Sequence, residues 1–152
     1  MKITDIKTAV IKGNFEWTLV RVYTDEGITG IGEAYWGAGV KDIIHYLKGM
    51  LVGQDPLNVD YLFHRMMRGM SGAGSIAGAT VTAISGVEIA LWDVVGKVLS
   101  APVYNLLGGK FRDKIGVYAD CGGSIDLKAC ADKAQRVKAM GYTAIKFDTH
   151  VP

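Results

Sequence analysis

Residues 113–152 constrain the fold most. Within them a β-rich run at 115–119 precedes a helical pattern at 126–140, with Leu127, Cys130, Ala131, Ala134 and Val137 on its expected inner face. Gly141 is placed to stop that helix, and a second β-rich run follows at 142–147. Strand, helix and strand at this spacing make a βαβ unit, because a helical crossover returns the chain in its original direction. Two parallel strands do not complete a sheet, since parallel sheets are covered on both faces. The segment therefore reads as the start of a barrel or doubly wound domain, and the chain as part of a larger protein.

The first third has a different period. Residues 2–11 are β-rich, with Ile3 and Val10 as apolar anchors. The run 18–24 carries Leu19, Val20, Val22 and Tyr23. Asp25, Glu26 and Gly27 interrupt it before 28–34 resumes, which is a hairpin signal because Gly supplies the positive φ of the turn. Gly30 and Gly32 in the return strand point to a bulge or a close backbone approach.

Helices follow. Ile43, Ile44, Leu47 and Leu51 fall at helical spacing, and Gly53 ends that pattern. Asp55 and Pro56 resemble a helix start, with a capping carboxylate and a first-turn proline. Leu57, Tyr61, Leu62 and Met66 are assigned to that helix. The longest pattern covers 80–99, with Val81, Ile84, Leu91, Val95 and Val98 as one apolar stripe and Asp93 four residues before Lys97. Glu88, among apolar neighbours, reads as a paired structural carboxylate. Pro102 blocks continuation. The first 112 residues thus form an α+β domain, distinct from the βαβ unit that begins at Asp113.

Composition excludes several partners. Lys and Arg total 17 against 15 Asp and Glu, a formal charge of +2, which gives no electrostatic reason to expect nucleic acid or an anionic membrane. The charge-free stretch 69–87 is rich in Gly, Ser and Thr and makes a poor membrane span. Residues 1–5 lack the apolar run of a signal peptide. Cys121 and Cys130 have neither zinc nor disulfide-framework spacing, which fits a reducing, cytoplasmic setting. Gly72, Gly74 and Ala77 match a loose dinucleotide fingerprint, with Asp93 at about the expected distance. The context is wrong, because a helical pattern precedes the glycines and Asp93 falls within a helix.

In parallel α/β architectures, reacting groups gather at the C-terminal ends of the strands. Those ends are expected at Asp120 and Cys121 and at residues 146–150. Alternation puts Lys146 and Asp148 on one face and Ile145 and Phe147 on the other. If the apolar pair faces the helices, Lys146 and Asp148 face the mouth of the site, where Asp120 and Lys146 should share one cavity. Lysine there can neutralise a substrate carboxylate or act as a base; a structural ion pair is the alternative. His150 reads as a surface histidine, and His45 and His64 as packing or surface groups. Cys121 is either a reactive thiol or a buried inert one. Trp17, Tyr35 and Trp36 are expected on loops beside the hairpin, capping a ligand pocket or packing on an adjoining domain.

Several motifs, taken in order, carry a family resemblance. They are Val22 to Glu33 (VYTDEGITGIGE), Gly53-Gln54-Asp55-Pro56, Ala83 to Asp93 (AISGVEIALWD) with Gly96-Lys97, Pro102 to Gly109 (PVYNLLGG) with Arg112-Asp113, and Gly141 to Lys146 (GYTAIK). The chain resembles the amino-terminal part of the mandelate racemase and muconate lactonizing enzyme branch of the enolase superfamily. Glu16, Trp17 and the Gly53–Pro56 turn are most similar to the galactonate dehydratase group. The resemblance implies an α+β capping domain at 1–112 and the first βαβ unit of an incomplete TIM-type barrel at 113–152.

It also implies chemistry: removal of a proton α to a carboxylate, with Mg²⁺ and cationic side chains stabilising the enediolate. Its metal ligands lie on later strands, so no residue here is assigned to metal. Lys146 matches the first lysine of a Lys-x-Lys motif, whereas Asp148 replaces the second, which is the base in other members. That departure argues against a two-base racemase and leaves the principal base downstream. The implied reaction is dehydration of a sugar acid to a 2-keto-3-deoxy acid, with racemase, cycloisomerase or an inactive capping fragment or binding module as alternatives. Lys146 and Asp148 are the candidate catalytic residues. Trp17, Trp36, Asp120 and Cys121 are the candidate substrate contacts. The implied partners are a small carboxylate substrate and further copies in a homo-oligomer.

Overall fold

The computed structural model describes residues 1–13, 15–73, 77–124 and 126–148. It divides into two compact units, Met1–Gly109 and Lys110–Pro152. In the first, β1 (Ile3–Lys12), β2 (Glu16–Thr24) and β3 (Thr29–Glu33) form an antiparallel meander with β2 in the centre. Gly27, at φ 78°, closes the β2–β3 turn and donates to the Thr24 carbonyl. Thr18, Val20, Val22 and Thr24 alternate inward and are buried. Ile3 and Ile6 are also buried although three apart. An irregularity between Ile3 and Asp5 inserts one residue into β1, which turns both side chains to the inner face. Val10, expected as an anchor, is instead 41% exposed. The turn at Gly53 and Gln54 bonds to β1 at Ile3, at the opposite end of the strand.

Two helices, the first and the third, pack on the sheet, and the second packs on both of them. In α1 (Val40–Leu51), Val40, Ile44, Leu47 and Leu51 are buried; in α2 (Val59–Met70), Val59, Leu62, Met66 and Met70 are. Both sets follow the four-three or three-four spacing of a single apolar stripe. Asp55 does not cap α2. Its carboxylate accepts from Leu57 N–H and its carbonyl from Asn58 N–H, so Asp55 and Pro56 build a separate turn and the helix begins at Val59. Leu57 consequently lies outside the helix.

The core helix is α3 (Ala79–Val98). It is long and apolar enough to cross a membrane by length and composition, yet here its buried side packs on the sheet and on α1 and α2. Its buried face is broader than the expected stripe. It includes Ala83, Gly86, Val87, Ala90 and Val94 beside Ile84, Leu91 and Val95, while Val81 and Val98 are only half-buried. Small residues explain the width. A Cβ on Gly30 would lie 1.9 Å from the Ala90 carbonyl oxygen, and one on Gly32 would lie 2.1 Å from that of Gly86. A Cβ on Gly86 would meet that of Ala34 at 2.5 Å. The glycines of β3 therefore serve close approach, with no bulge in β3's pairing to β2.

The same seam finishes the edge of the sheet. Asp93 accepts from Ile31 N–H at 2.8 Å, and Lys97 donates to the Thr29 carbonyl at 2.7 Å. The two side chains are themselves paired at 2.7 Å. Glu88 does have a partner, the Trp92 indole N–H at 3.3 Å. After α3, the short α4 (Val103–Leu106) begins at Pro102.

The second unit holds β4 (Ala119–Gly123), α5 (Leu127–Ala139) and β5 (Ile145–Asp148), with the two strands parallel. Asp126 caps α5, accepting from Lys128 and Ala129 N–H. The first strand lies four residues later than its pattern indicated. Ile115, Val117 and Tyr118 have the right alternation but are 57–75% exposed, and the ladder forms only where β5 lies alongside. On α5, Cys130, Ala134 and Val137 are half-buried, whereas Leu127 and Ala131 are exposed. The helix packs chiefly on β4, which leaves the ends and flanks of its apolar face uncovered.

Gly30→Ala is expected to destabilise the first unit by about 3 kcal/mol, because the methyl group meets backbone that cannot rotate away. Ile31→Ala, one residue on and facing outward, is expected to stay within about 0.5 kcal/mol. Leu91→Ala should cost about 2 to 5 kcal/mol. Urea-unfolding midpoints on the three variants give the comparison; equal effects at Gly30 and Ile31 would contradict the close packing.

Candidate active site on the parallel strands

Register brings the candidate residues of the second unit together. Asp120 of β4 lies opposite Lys146 of β5, and after a register shift Gly123 lies opposite Asp148. Side chains opposite one another on neighbouring strands point to the same face. The Lys146 ammonium donates to Asp120 Oδ2 at 2.9 Å and stands 3.7 Å from Asp148 Oδ1. Asp120 is held from its other side, where Oδ1 accepts from Gly122 N–H at 3.0 Å. All three side chains are about half exposed, so this is an accessible face of the strand pair.

Each group favours the charged form of the other. The hydrogen bond from Lys146 holds the Asp120 carboxyl below the usual range, helped by the Gly122 N–H. The hydrogen bond to Asp120 in turn raises the Lys146 ammonium above the ordinary lysine value, and the charges of Asp120 and Asp148 add to it. Lys146 is therefore a cation at neutral pH. It can attract negative charge, but it has no free lone pair with which to act as a base.

Cys121 is absent from this face. It follows Asp120 in the strand, points to the other side, and is buried with a free thiol. Its carbonyl accepts from Lys133 of α5. Its burial is what the inert of the two readings expects. Lys133, which the sequence reading passed over, also lowers the Asp120 carboxyl through its charge. The available signal was a lysine two turns into the crossover helix. Ile145 lines a depression with Ala134, Gln135 and Lys138 of α5, on the side away from Lys146. His150 lies outside the described residues.

The two tryptophans belong to the first unit. Trp17 is not on a loop but within β2, opposite Ile11, half-buried, with Phe15 in edge contact at 6.1 Å. Trp36 does lie on the segment after β3, 55% exposed and 6.2 Å from Tyr35. Thr18 N–H donates to the Tyr35 carbonyl at 2.7 Å, which ties that segment to β2. Tyr35 has φ 48°, an unfavourable value for a residue with a Cβ. Phe15 thus joins Trp17, Tyr35 and Trp36 as aromatics at one end of the meander.

Among the described residues, no three His, Cys, Asp or Glu side chains converge as a metal site. Asp120 and Asp148 both approach Lys146, whose ammonium occupies the position a cation would need. Among the described residues, this pair of carboxylates holds an ammonium.

Comparison with known proteins agrees with this architecture. The chain is 50% identical to the D-xylonate dehydratase of Haloferax volcanii across 99% of its length, and 39% identical to the D-galactonate dehydratase of Verminephrobacter eiseniae across 97%. It spans only 37% and 38% of those two proteins. The crystal structure of the 3,6-anhydro-D-galactonate cycloisomerase from Zobellia galactanivorans superposes with a TM-score of 0.86 at 31% identity, over 97% of this chain and 42% of that one. Residues 6–108 match the mandelate racemase / muconate lactonizing enzyme, N-terminal domain family. With the α+β unit formed by those residues and the order of its motifs, this match shows that the chain belongs to the mandelate racemase and muconate lactonizing enzyme family of the enolase superfamily.

Proposed function

We propose that this chain supplies the capping domain and the first barrel strands of an acid-sugar dehydratase. The observation that carries the reading is the Lys146 ammonium, held across neighbouring parallel strands by Asp120. Dehydration starts with loss of the proton α to the substrate carboxylate, which puts extra charge on the carboxylate oxygens. The β-hydroxyl then leaves as water, and the enol tautomerises to a 2-keto-3-deoxy acid. A fixed cation beside those oxygens stabilises the charged transition state more than the ground state. Lys146 fits this role, and its raised pKa argues against proton abstraction by the same group.

Charge bookkeeping sets a condition. Asp120, Lys146 and Asp148 together carry one formal negative charge. A substrate carboxylate gains from Lys146 only by taking the place of one aspartate, or when further cationic charge joins the site. Asp148 is the looser of the two, at 3.7 Å, whereas Asp120 is anchored at both oxygens. The magnesium expected for the family's chemistry has no ligand set among the described residues.

The dehydratases among the relatives support a sugar acid as substrate. A cycloisomerase is the second reading, favoured by the superposition on one. Trp17 and Trp36 remain candidates for covering the substrate. A cytoplasmic setting and a homo-oligomeric assembly belong to the same proposal. Screening a library of acid sugars tests the reaction, using the polypeptide in which these residues are joined to a complete barrel. A 2-keto-3-deoxy product supports the dehydratase, and an isomerised acid without loss of water supports the cycloisomerase.

Two variants test Lys146. In that polypeptide, Lys146→Met is expected to lower kcat by roughly 10² with the fold intact, and Asp148→Asn by less; unchanged turnover in Lys146→Met would rule out the electrostatic role. In the second experiment, an NMR titration of Lys146 should show its pKa falling toward the ordinary lysine value in Asp120→Asn. The sign follows from both shifts. The pair contributes fully above the ordinary carboxylate range and below the ordinary lysine range. It weakens as pH falls through the lowered Asp120 value or rises through the raised Lys146 value. An unchanged Lys146 titration would show that Asp120 does not hold it.

A further inference from the structure

The outer face of α2 carries a second concentration of charge. Tyr61, His64, Arg65 and Arg68 recur at the spacing of one helix face and line a single depression. Four of the seven other lysines and arginines of the same unit are matched, Lys7 and Lys48 by Asp5, Lys12 by Glu16 and Lys97 by Asp93, while Lys2, Arg21 and Lys41 stand apart from one another in sequence and make no such helix-face pair. Among the described residues, neither Arg65 nor Arg68 has an ion-pair partner.

Arg65 is also fixed in place. Its Nε donates to the Met50 carbonyl at 3.0 Å and its Nη1 to the Tyr61 hydroxyl at 3.3 Å. Two protein acceptors engage Nε and Nη1 and leave Nη2 without a protein partner among the described residues, on a side chain that lines the depression. A guanidinium held this way loses little side-chain freedom on binding, and its planar donors suit a tetrahedral oxyanion. The His64 ring is steadied by an edge contact with Phe63 at 5.7 Å and adds another nitrogen.

We propose that this depression binds a doubly charged oxyanion of the phosphate class, separately from the Asp120–Lys146 face. Two uncompensated guanidiniums match two negative charges. Tyr61 borders the site with a hydroxyl already engaged by Arg65. The ligand chemistry is shared by free phosphate and by a phosphomonoester.

The test is an NMR titration of the full chain with inorganic phosphate, with sodium chloride at equal ionic strength as the reference. Phosphate is expected to shift the Arg65 and Arg68 side-chain resonances saturably, with a Kd on the order of 1 mM. Arg65→Gln and Arg68→Gln should each weaken binding about tenfold. Arg65→Lys keeps the charge but loses the fork, and should also weaken it several-fold. Arg68 makes no side-chain bond to the rest of the fold among the described residues, so Arg68→Gln remains decisive if Arg65 variants unfold. A titration with glycerol phosphate distinguishes the sources: tighter binding than phosphate supports an organic phosphate, and weaker binding supports the free ion. Shifts that chloride reproduces, or an Arg68→Gln variant with unchanged Kd, would overturn the proposal.

Discussion

The contact between the backbones of β3 and α3 governs the first unit. Gly30 and Gly32 leave no side chain on the inner face of β3, and Gly86 and Ala90 leave almost none on the facing side of α3. The helix can therefore settle against the strand at a distance that larger residues would forbid. This placement brings Ile84, Val87 and Leu91 into the core shared with β2, α1 and α2. It also puts Asp93 and Lys97 within reach of the strand's outer polar groups. Dispersion at this seam depends on close backbone approach, and a methyl group added at Gly30, Gly32 or Gly86 would force the two elements to shift.

The second unit works through electrostatics more than burial. Its ladder is short and most of its side chains meet solvent. What it organises is charge: register sets Asp120 beside Lys146, and the Gly122 N–H fixes the carboxylate. Asp120 is thereby bonded to Lys146 across the ladder as well as to the Gly122 N–H. The chemical consequence is a lysine whose charged form is favoured by the carboxylates beside it.

Legibility in the sequence followed the range of the interaction. The hairpin turn at Asp25 to Gly27, the stripes of α1 and α2 and the βαβ order were readable, because each depends on neighbours a few residues apart. The Gly30 and Gly32 approach was readable only as one of two options; choosing between them requires Gly86, more than fifty residues away. The β4 boundary was misread because Ile115 and Val117 have strand alternation, while strand formation depends on a partner. Asp55 was misread as a helix cap because Asx turns and helix caps use the same carboxylate-to-N–H bond. In the site, Lys146 and Asp148 could be placed on one face by alternation alone. The Asp120 pairing needed the register, and burial of Cys121 needed the position of α5.

The Asp93–Lys97 pair has a consequence for assembly. A strand at the margin of a sheet offers an amide and a carbonyl to whatever extended chain passes by. Here a carboxylate answers the Ile31 amide and an ammonium answers the Thr29 carbonyl, one helical turn apart on α3. Two helical side chains stand in for the fourth strand and close that margin to recruitment. The width of this sheet is thus decided by a helix, at a distance of some sixty residues along the chain from the strand it terminates.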